Sequence, residues 1–229
     1  VRLRFVFLSL SNSPGIHQSP IVAHGNARGL FSARFSEGSG VVAQWRITDR
    51  SEAFRARRWS VERSIRTRAD DASAKGHEFF TVRIADFVNV IPVTEKDEIV
   101  LVRQFRHGIE RATLELPGGL VDPHEGDPAA AALREMREET GYDLPRGGVF
   151  ADLGTLLPNP ALLNNRNYFF VATGVQRVDA GALEETEDVE VVLAPTGEIG
   201  GMIDRGEIDN AMMIAGLTLY ERWRVRANA

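Results

Sequence analysis

Residues 118–142 read GGLVDPHEGDPAAAALREMREETGY, and the rest of the chain is best understood outward from them. The second half of this stretch predicts a helix. Asp127 can cap its first turn, Pro128 suits the first helical position, and Gly141 suits the position just past the end. The alanines at 129–132 and Leu133 are strong helix formers. Glu135, Glu138 and Glu139 lie three and four residues apart, so they share one helix face. Three like charges that close repel one another unless a cation sits among them. Carboxylate and carbonyl oxygens are the ligands that magnesium and manganese prefer. The glycine-bearing loop at 118–126 would bring a backbone carbonyl to the same place. A cation held there can bridge diphosphate oxygens and sharpen a bound water into a nucleophile. The bland alternative is a solvated, charged helix face. The Gly-Gly pair before the helix and the Thr-Gly pair at its end weigh against that alternative.

Composition narrows the choices. The chain has 229 residues, enough for one large domain or a domain with a small extension. It has no cysteine, which excludes disulfides and thiolate metal sites. No apolar run approaches the roughly 18–20 residues needed to span a membrane. The start, VRLRFVFLSL, has an apolar core too short for a signal peptide and no small-residue cleavage site after it, so a cytoplasmic protein is expected. Net charge is −5 but uneven: residues 1–75 hold 13 Lys/Arg against 6 Asp/Glu, and residues 76–229 hold 14 against 26. The arginines of the basic part are scattered among turns without a nucleic-acid-binding motif. No nucleic-acid or membrane partner is expected. A basic face that meets an anionic small ligand or an acidic surface fits better.

Residues 1–40 are rich in Gly, Ser, Asn and Pro and are expected to form a flexible leader. Residues 41–82 alternate as exposed antiparallel strands, VVAQWRI, RRWSVERSIRTR and HEFFTVRI, with Gly76 in a turn. Residues 87–106 hold two apolar strands around a Glu95-Lys96-Asp97 turn. After the helix, strands are expected at 148–154, 168–172 and 189–193, with a Pro/Asn-rich loop at 158–166 and an acidic segment at 184–188. Helices are expected at 198–205 and 210–226; the second carries Met213, Leu217 and Tyr220 at helical spacing. Strands, box helix, strands and terminal helices in that order describe an α+β fold rather than regular βαβ alternation.

The helix and its loop resemble the Nudix box: glycine, a glutamate after five residues, then after seven more the run Arg-Glu-apolar-x-Glu-Glu-x-Gly-apolar. Five residues separate Gly119 from Glu125, as in the pattern. Eight rather than seven separate Glu125 from Arg134, an extra residue near Gly126 that leaves the helix triad ungapped. The surrounding segments LVRQFR (101–106), LELPGG (114–119) and GEIDNA (206–211) look most like the ADP-ribose pyrophosphatase branch of Nudix hydrolases. That resemblance implies an α/β/α Nudix sandwich of mixed sheets over 83–226. It also implies a homodimer in which the N-terminal antiparallel strands contribute to the partner's pocket.

The resemblance assigns Glu135, Glu138 and Glu139 as metal carboxylates. Gly119 supplies a carbonyl ligand, and Arg134 orients a box glutamate. Arg103 and Arg106 fall in a segment that lines the nucleotide and phosphate pocket. The acidic segment would carry the catalytic base, with Glu185 and Glu187 as candidates. Asn159-Pro-Ala161 followed by Asn164-Asn165 departs from the branch's Ser-Pro-Gly loop and its later glutamate, which makes Asn164 and Asn165 specificity candidates. The implied activity is magnesium-dependent hydrolysis (manganese as substitute) of ADP-ribose or a related nucleoside-diphosphate sugar to a nucleoside monophosphate and a sugar phosphate. Two alternatives remain open on the sequence. One is another nucleoside-diphosphate substrate, such as a dinucleoside polyphosphate or a coenzyme. The other is a module that senses ADP-ribose without cleaving it.

Overall fold

A computed structural model of the chain describes residues 44–71, 73–122, 126–182 and 188–227. The 1–40 leader, Glu125, Glu185 and Glu187 lie outside the described residues.

Three strands, β1 (Trp45–Arg55), β2 (Trp59–Arg68) and β3 (His77–Ile84), form an antiparallel meander in the order β1-β2-β3. β1 runs through residue 55, well beyond the expected end at 47. Every one of its positions is exposed, so hydrophobic alternation gives no signal for its length. Trp45 reaches across β2 to meet the rings of His77 and Phe79 edge-on, at 5.8 and 5.5 Å between centroids.

The main sheet is mixed. It contains β4 (Phe87–Thr94), β5 (Glu98–Arg106), β6 (Arg111–Glu115), β7 (Tyr142–Asp143), β8 (Val149–Leu156), β9 (Asn167–Arg177) and β10 (Val189–Pro195). Its path runs β10-β5-β4-β9-β7, with β6 paired to β5 and β8 to β9. β4 and β5 form the expected hairpin, with Asp97 at φ 60 in its turn. β4 and β9 pair in parallel, which requires the long crossover that contains the box helix.

Each face of this sheet is apolar and covered, which makes an α/β/α sandwich. Val88, Val90, Val100, Phe170 and Ala172 meet Ala131, Ala132 and Met136 of α1 (Pro128–Thr140). Residues of opposite parity, Ile91, Ile99, Leu101, Phe169 and Val171, meet Met202 of α2 (Ile199–Asp204) and Met213, Leu217 and Tyr220 of α3 (Ala211–Ala227). The Met213–Leu217–Tyr220 stripe is therefore core. The expected helix at 198–205 is a 3-10 turn, Thr196–Glu198, that leads into the short α2.

The ends of α1 follow its sequence. The Asp127 side chain accepts from Ala129 N–H, and Pro128 begins the helix. Gly141 takes the left-handed conformation at φ 70, and its N–H reaches the Arg137 carbonyl at 2.9 Å. In the last turn Arg137 complements the helix dipole and pairs with Asp143 and Asp179. The small Ala131 and Ala132 bring α1 close to the sheet, and this sets where its carboxylates stand.

Candidate active site

α1 aims its acidic face at the segment that joins β6 to the helix. That segment runs antiparallel beside β4: Val90 N–H donates to the Pro117 carbonyl, Val88 N–H to the Gly119 carbonyl and Val121 N–H to the Asp86 carbonyl, each at 2.9 Å. The two glycines are dictated by crowding. A Cβ on Gly119 would run into the Glu135 carboxylate, and one on Gly118 into the Val88 carbonyl and Asn89. Glu139 is buried, and its carboxylate accepts the Gly118 N–H at 2.9 Å. Arg134 sets one guanidinium nitrogen between Glu135, at 2.9 Å, and Glu138, at 2.8 Å.

These groups line a cleft of about 710 Å³ with Arg58, Gln104, Arg106, Leu120 and Asp122. Among the described residues no three His, Asp or Glu side chains converge into a ready-made metal cage. The donor chemistry nevertheless fits a hard divalent cation: Glu135 beside Gly119 and Glu139 on the Gly118 N–H offer carboxylate oxygens along a glycine pair that leaves Glu135 its space. The Gly119 carbonyl is turned to β4, where Val88 holds one lone pair, so only its second lone pair could serve a cation.

A second cleft, of about 810 Å³, shares Arg106, Gly118, Gly119 and Leu120 with the first. Ile84, Phe87, Ile109, Leu163, Met212 and Met213 give it an apolar lining, and its charged groups are paired. Arg111 of β6 pairs with Asp209. Arg106 is gripped by Glu115 through two hydrogen bonds, 3.0 Å from Nε and 2.7 Å from Nη2. Burial pushes the Glu115 carboxyl up, but hydrogen bonds from Arg106 and Thr113, the charge of Arg106 and a hydrogen bond from Asn210 together hold it below the ordinary glutamate value. Arg106 is correspondingly raised, first by its hydrogen bonds to Glu115.

The expected site residues therefore separate. Glu135, Glu138, Glu139, Arg134, Gly119 and Arg106 come together. Arg103 does not join them: it lines neither cleft and pairs on the surface with Glu190 of β10 at 3.1 Å. The reason is strand parity. Gln104 and Arg106 have the parity of Val100, which packs against α1, so Arg103 faces the other way. Asn164 is a structural tie, since its side-chain oxygen accepts the Ile84 N–H at 3.1 Å. Asn165 is buried, lines the larger cleft and donates to the Ala85 carbonyl. Glu185 and Glu187 lie outside the described residues, but Asp188, where the description resumes, borders a small cleft with Gln104 and Arg106.

Sequence reasoning passed over Arg58, Glu115, Asp209 and Asn210. The last three sit in the LELPGG and GEIDNA segments already picked out, so a signal was present. Arg58 stands at the β1–β2 turn and lines the cleft of its own chain.

Comparison with known proteins identifies the family. A model of the NUDIX domain matches residues 85–214. An ADP-ribose pyrophosphatase of Mycobacterium tuberculosis is 30% identical over 154 residues, 66% of this chain and 73% of that protein. A GDP-mannose pyrophosphatase of Citrobacter koseri is 38% identical over 122 residues, 50% of this chain and 61% of that one. A mouse ADP-sugar pyrophosphatase is 31% identical over 151 residues, 58% and 67% of the two chains. A solved structure described as an ADP compounds hydrolase superposes with a TM-score of 0.70 at 21% identity, covering 81% of this chain and 96% of its own, and so shares the fold. The chain belongs to the NUDIX family, in its ADP-ribose pyrophosphatase-like branch of pyrophosphohydrolases.

Proposed function

We propose that the protein hydrolyses the diphosphate bond of ADP-ribose or a related nucleoside-diphosphate sugar in a magnesium-dependent reaction, giving a nucleoside monophosphate and a sugar phosphate. The observation that carries this reading is the pair of clefts that meet at Arg106 and the Gly118–Gly119 pair. The carboxylate cleft suits a metal-bound diphosphate. In the larger cleft the charges of Arg106 and Arg111 are matched by Glu115 and Asp209, and the rest of the lining is largely apolar. Such a wall suits an uncharged nucleoside or sugar better than the additional phosphates of a dinucleoside polyphosphate, which would need unmatched cations. The relatives named as ADP-ribose, ADP-sugar and GDP-mannose pyrophosphatases act on this same chemical class, which supports it further.

Glu135 and Glu139, with Glu138 beside them and the second lone pair of the Gly119 carbonyl, would hold magnesium, or manganese in its place. The bound cation supplies neutralisation of the diphosphate and a more acidic water. The chain's own groups do the rest. Gly118 N–H keeps the Glu139 carboxylate in place, and Arg134 holds Glu135 and Glu138 apart from each other's charge. Arg106 offers its remaining N–H donors to phosphate oxygens at the seam of the clefts. A glutamate of the acidic segment, Glu185 or Glu187, accepts the proton of the attacking water; the position of Asp188 close to Arg106 supports that choice.

We also propose that a second copy of the chain packs on the meander, which exposes Trp45 and Phe79 on one face and Phe54, Trp59 and Phe80 on the other, each 40–52% exposed. Incubation of purified protein with ADP-ribose and magnesium, alongside a panel of nucleoside-diphosphate sugars, dinucleoside polyphosphates and coenzymes, tests the activity. AMP and ribose 5-phosphate, lost on chelation, support the reading. Cleavage of a polyphosphate or coenzyme in preference would overturn the substrate class, and binding without cleavage would make the protein a sensor.

A further inference from the structure

Three segments singled out in the sequence, LVRQFR, LELPGG and GEIDNA, meet at one side chain that the reaction outlined above leaves without a task. Glu115 ends β6, and its side chain is only 4% exposed. Both its oxygens are bound to Arg106, at 3.0 and 2.7 Å, and Oε1 also accepts the Thr113 hydroxyl at 2.5 Å. Asn210, just before α3, lies beside it and helps to lower its pKa. The Asn210 side-chain oxygen is used elsewhere, capping α3 through Met212 N–H at 3.0 Å. The carboxylate is thus held from β5 and β6 at once, beside the start of α3.

Arg106, by contrast, is half exposed and lies on the wall shared by the two clefts. A guanidinium has five N–H donors in a fixed fork. Glu115 takes one from Nε and one from Nη2, which leaves three directed away from the carboxylate. The β5–β6 ladder is already complete from Val102↔Glu115 to Arg106↔Arg111, so hairpin formation does not call for this pair. Burying a carboxylate is costly, and apolar replacements of buried ion pairs are often neutral or stabilising. Stability alone therefore gives no reason for Glu115.

We propose that Glu115 is a positioning residue: with Thr113 it fixes the Arg106 guanidinium at the seam of the clefts, so that the free donors meet the diphosphate of a bound nucleoside-diphosphate sugar. This rests on the substrate class proposed above. A longer, freely rotating arginine would lose side-chain entropy on every binding event, and the clamp removes that cost before the ligand arrives.

The test is a double-mutant cycle on the full chain with Glu115→Gln, Arg106→Lys and the pair together, each normalised to its folded fraction by thermal melting. KM and kcat for ADP-ribose are read with magnesium, and Kd for ADP-ribose by calorimetry without it. Glu115→Gln is expected to raise KM and Kd about tenfold while kcat changes much less, and the double variant is expected to be no worse than Arg106→Lys. Unchanged KM and Kd in folded Glu115→Gln, or effects that multiply in the double variant, would overturn the proposal. Should Glu115→Gln fail to fold, Glu115→Met supplies the apolar replacement for the same cycle. Should the wild type bind ADP-ribose without cleaving it, the hydrolase reading falls while the Kd cycle still decides the clamp. If it neither binds nor cleaves any nucleoside-diphosphate sugar, both fall.

Discussion

Adding one methyl group at Gly118 and at Gly119 in turn should give opposite phenotypes, although the two residues are adjacent. Neither has a positive φ, so the issue is space rather than backbone strain. A Cβ on Gly118 would meet the Val88 carbonyl, the Asn89 amide nitrogen at 2.6 Å and the Asn89 Cα at 2.9 Å. Those atoms belong to the centre of β4 and cannot move without disturbing the sheet. Overpacking of this kind costs about 1–3 kcal/mol. At roughly 2–4 °C per kcal/mol for a chain of this size, Gly118→Ala should lower Tm by about 3–10 °C. The three atoms nearest to a Cβ on Gly119 all belong to the Glu135 carboxylate, with Cδ at 2.5 Å and Oε2 at 2.7 Å. That is the far end of a side chain paired with Arg134, and it can shift with its partner at a cost of about 1 kcal/mol. Gly119→Ala should therefore melt within about 3 °C of the wild type. Its turnover should fall about 10–100-fold, the usual consequence of disturbing the groups around a metal. Circular dichroism melts and turnover at saturating magnesium, per folded molecule, measure both. Wild-type turnover in Gly119→Ala, or a wild-type melt for Gly118→Ala, would refute the reasoning.

Other outcomes follow from the same contacts. The lowered folded-state pKa of Glu115 means that its contribution to stability is present above the ordinary glutamate value, about 4.3, and is lost as pH falls through the lower folded value. The Tm difference between wild type and Glu115→Gln should shrink as melts are taken from pH 7 to pH 3; a constant difference would contradict this. Asn164→Ala should lower Tm by a few degrees, through loss of a bond worth about 1 kcal/mol to Ile84, and leave the ranking of substrates intact. A changed ranking would restore Asn164 to specificity. Arg103→Ala should leave KM within about twofold, because it removes an exposed ion pair of small value; a tenfold rise in KM would place Arg103 in the pocket after all.

What could be read from the sequence followed from how local each feature is. The box helix was legible down to its caps, because Asp127, Pro128 and Gly141 act within a turn of where they stand. The β4–β5 hairpin and the α3 stripe were legible for the same reason, through period and turn chemistry. β7 was not: two residues, Tyr142 and Asp143, carry no period, and they form a strand only because β9 extends to Arg177 beside them. LVRQFR reads as one segment, which groups Arg103 with Arg106, whereas the structure sets them apart. A strand has two faces, and which one turns to α1 depends on how Val100 packs. The grip of Glu115 on Arg106 spans nine residues and a cross-strand register that only the folded hairpin fixes.

The central claim is that the box carboxylates carry the hydrolysis, and Glu139→Gln tests it most directly. Glutamine keeps the shape and can still accept the Gly118 N–H, so its melt should stay close to that of the wild type. Turnover of ADP-ribose with magnesium should fall by more than about a hundredfold, since a buried anionic oxygen ligand has been replaced by a neutral amide. A folded Glu139→Gln protein that turns over ADP-ribose at close to the wild-type rate would contradict the account.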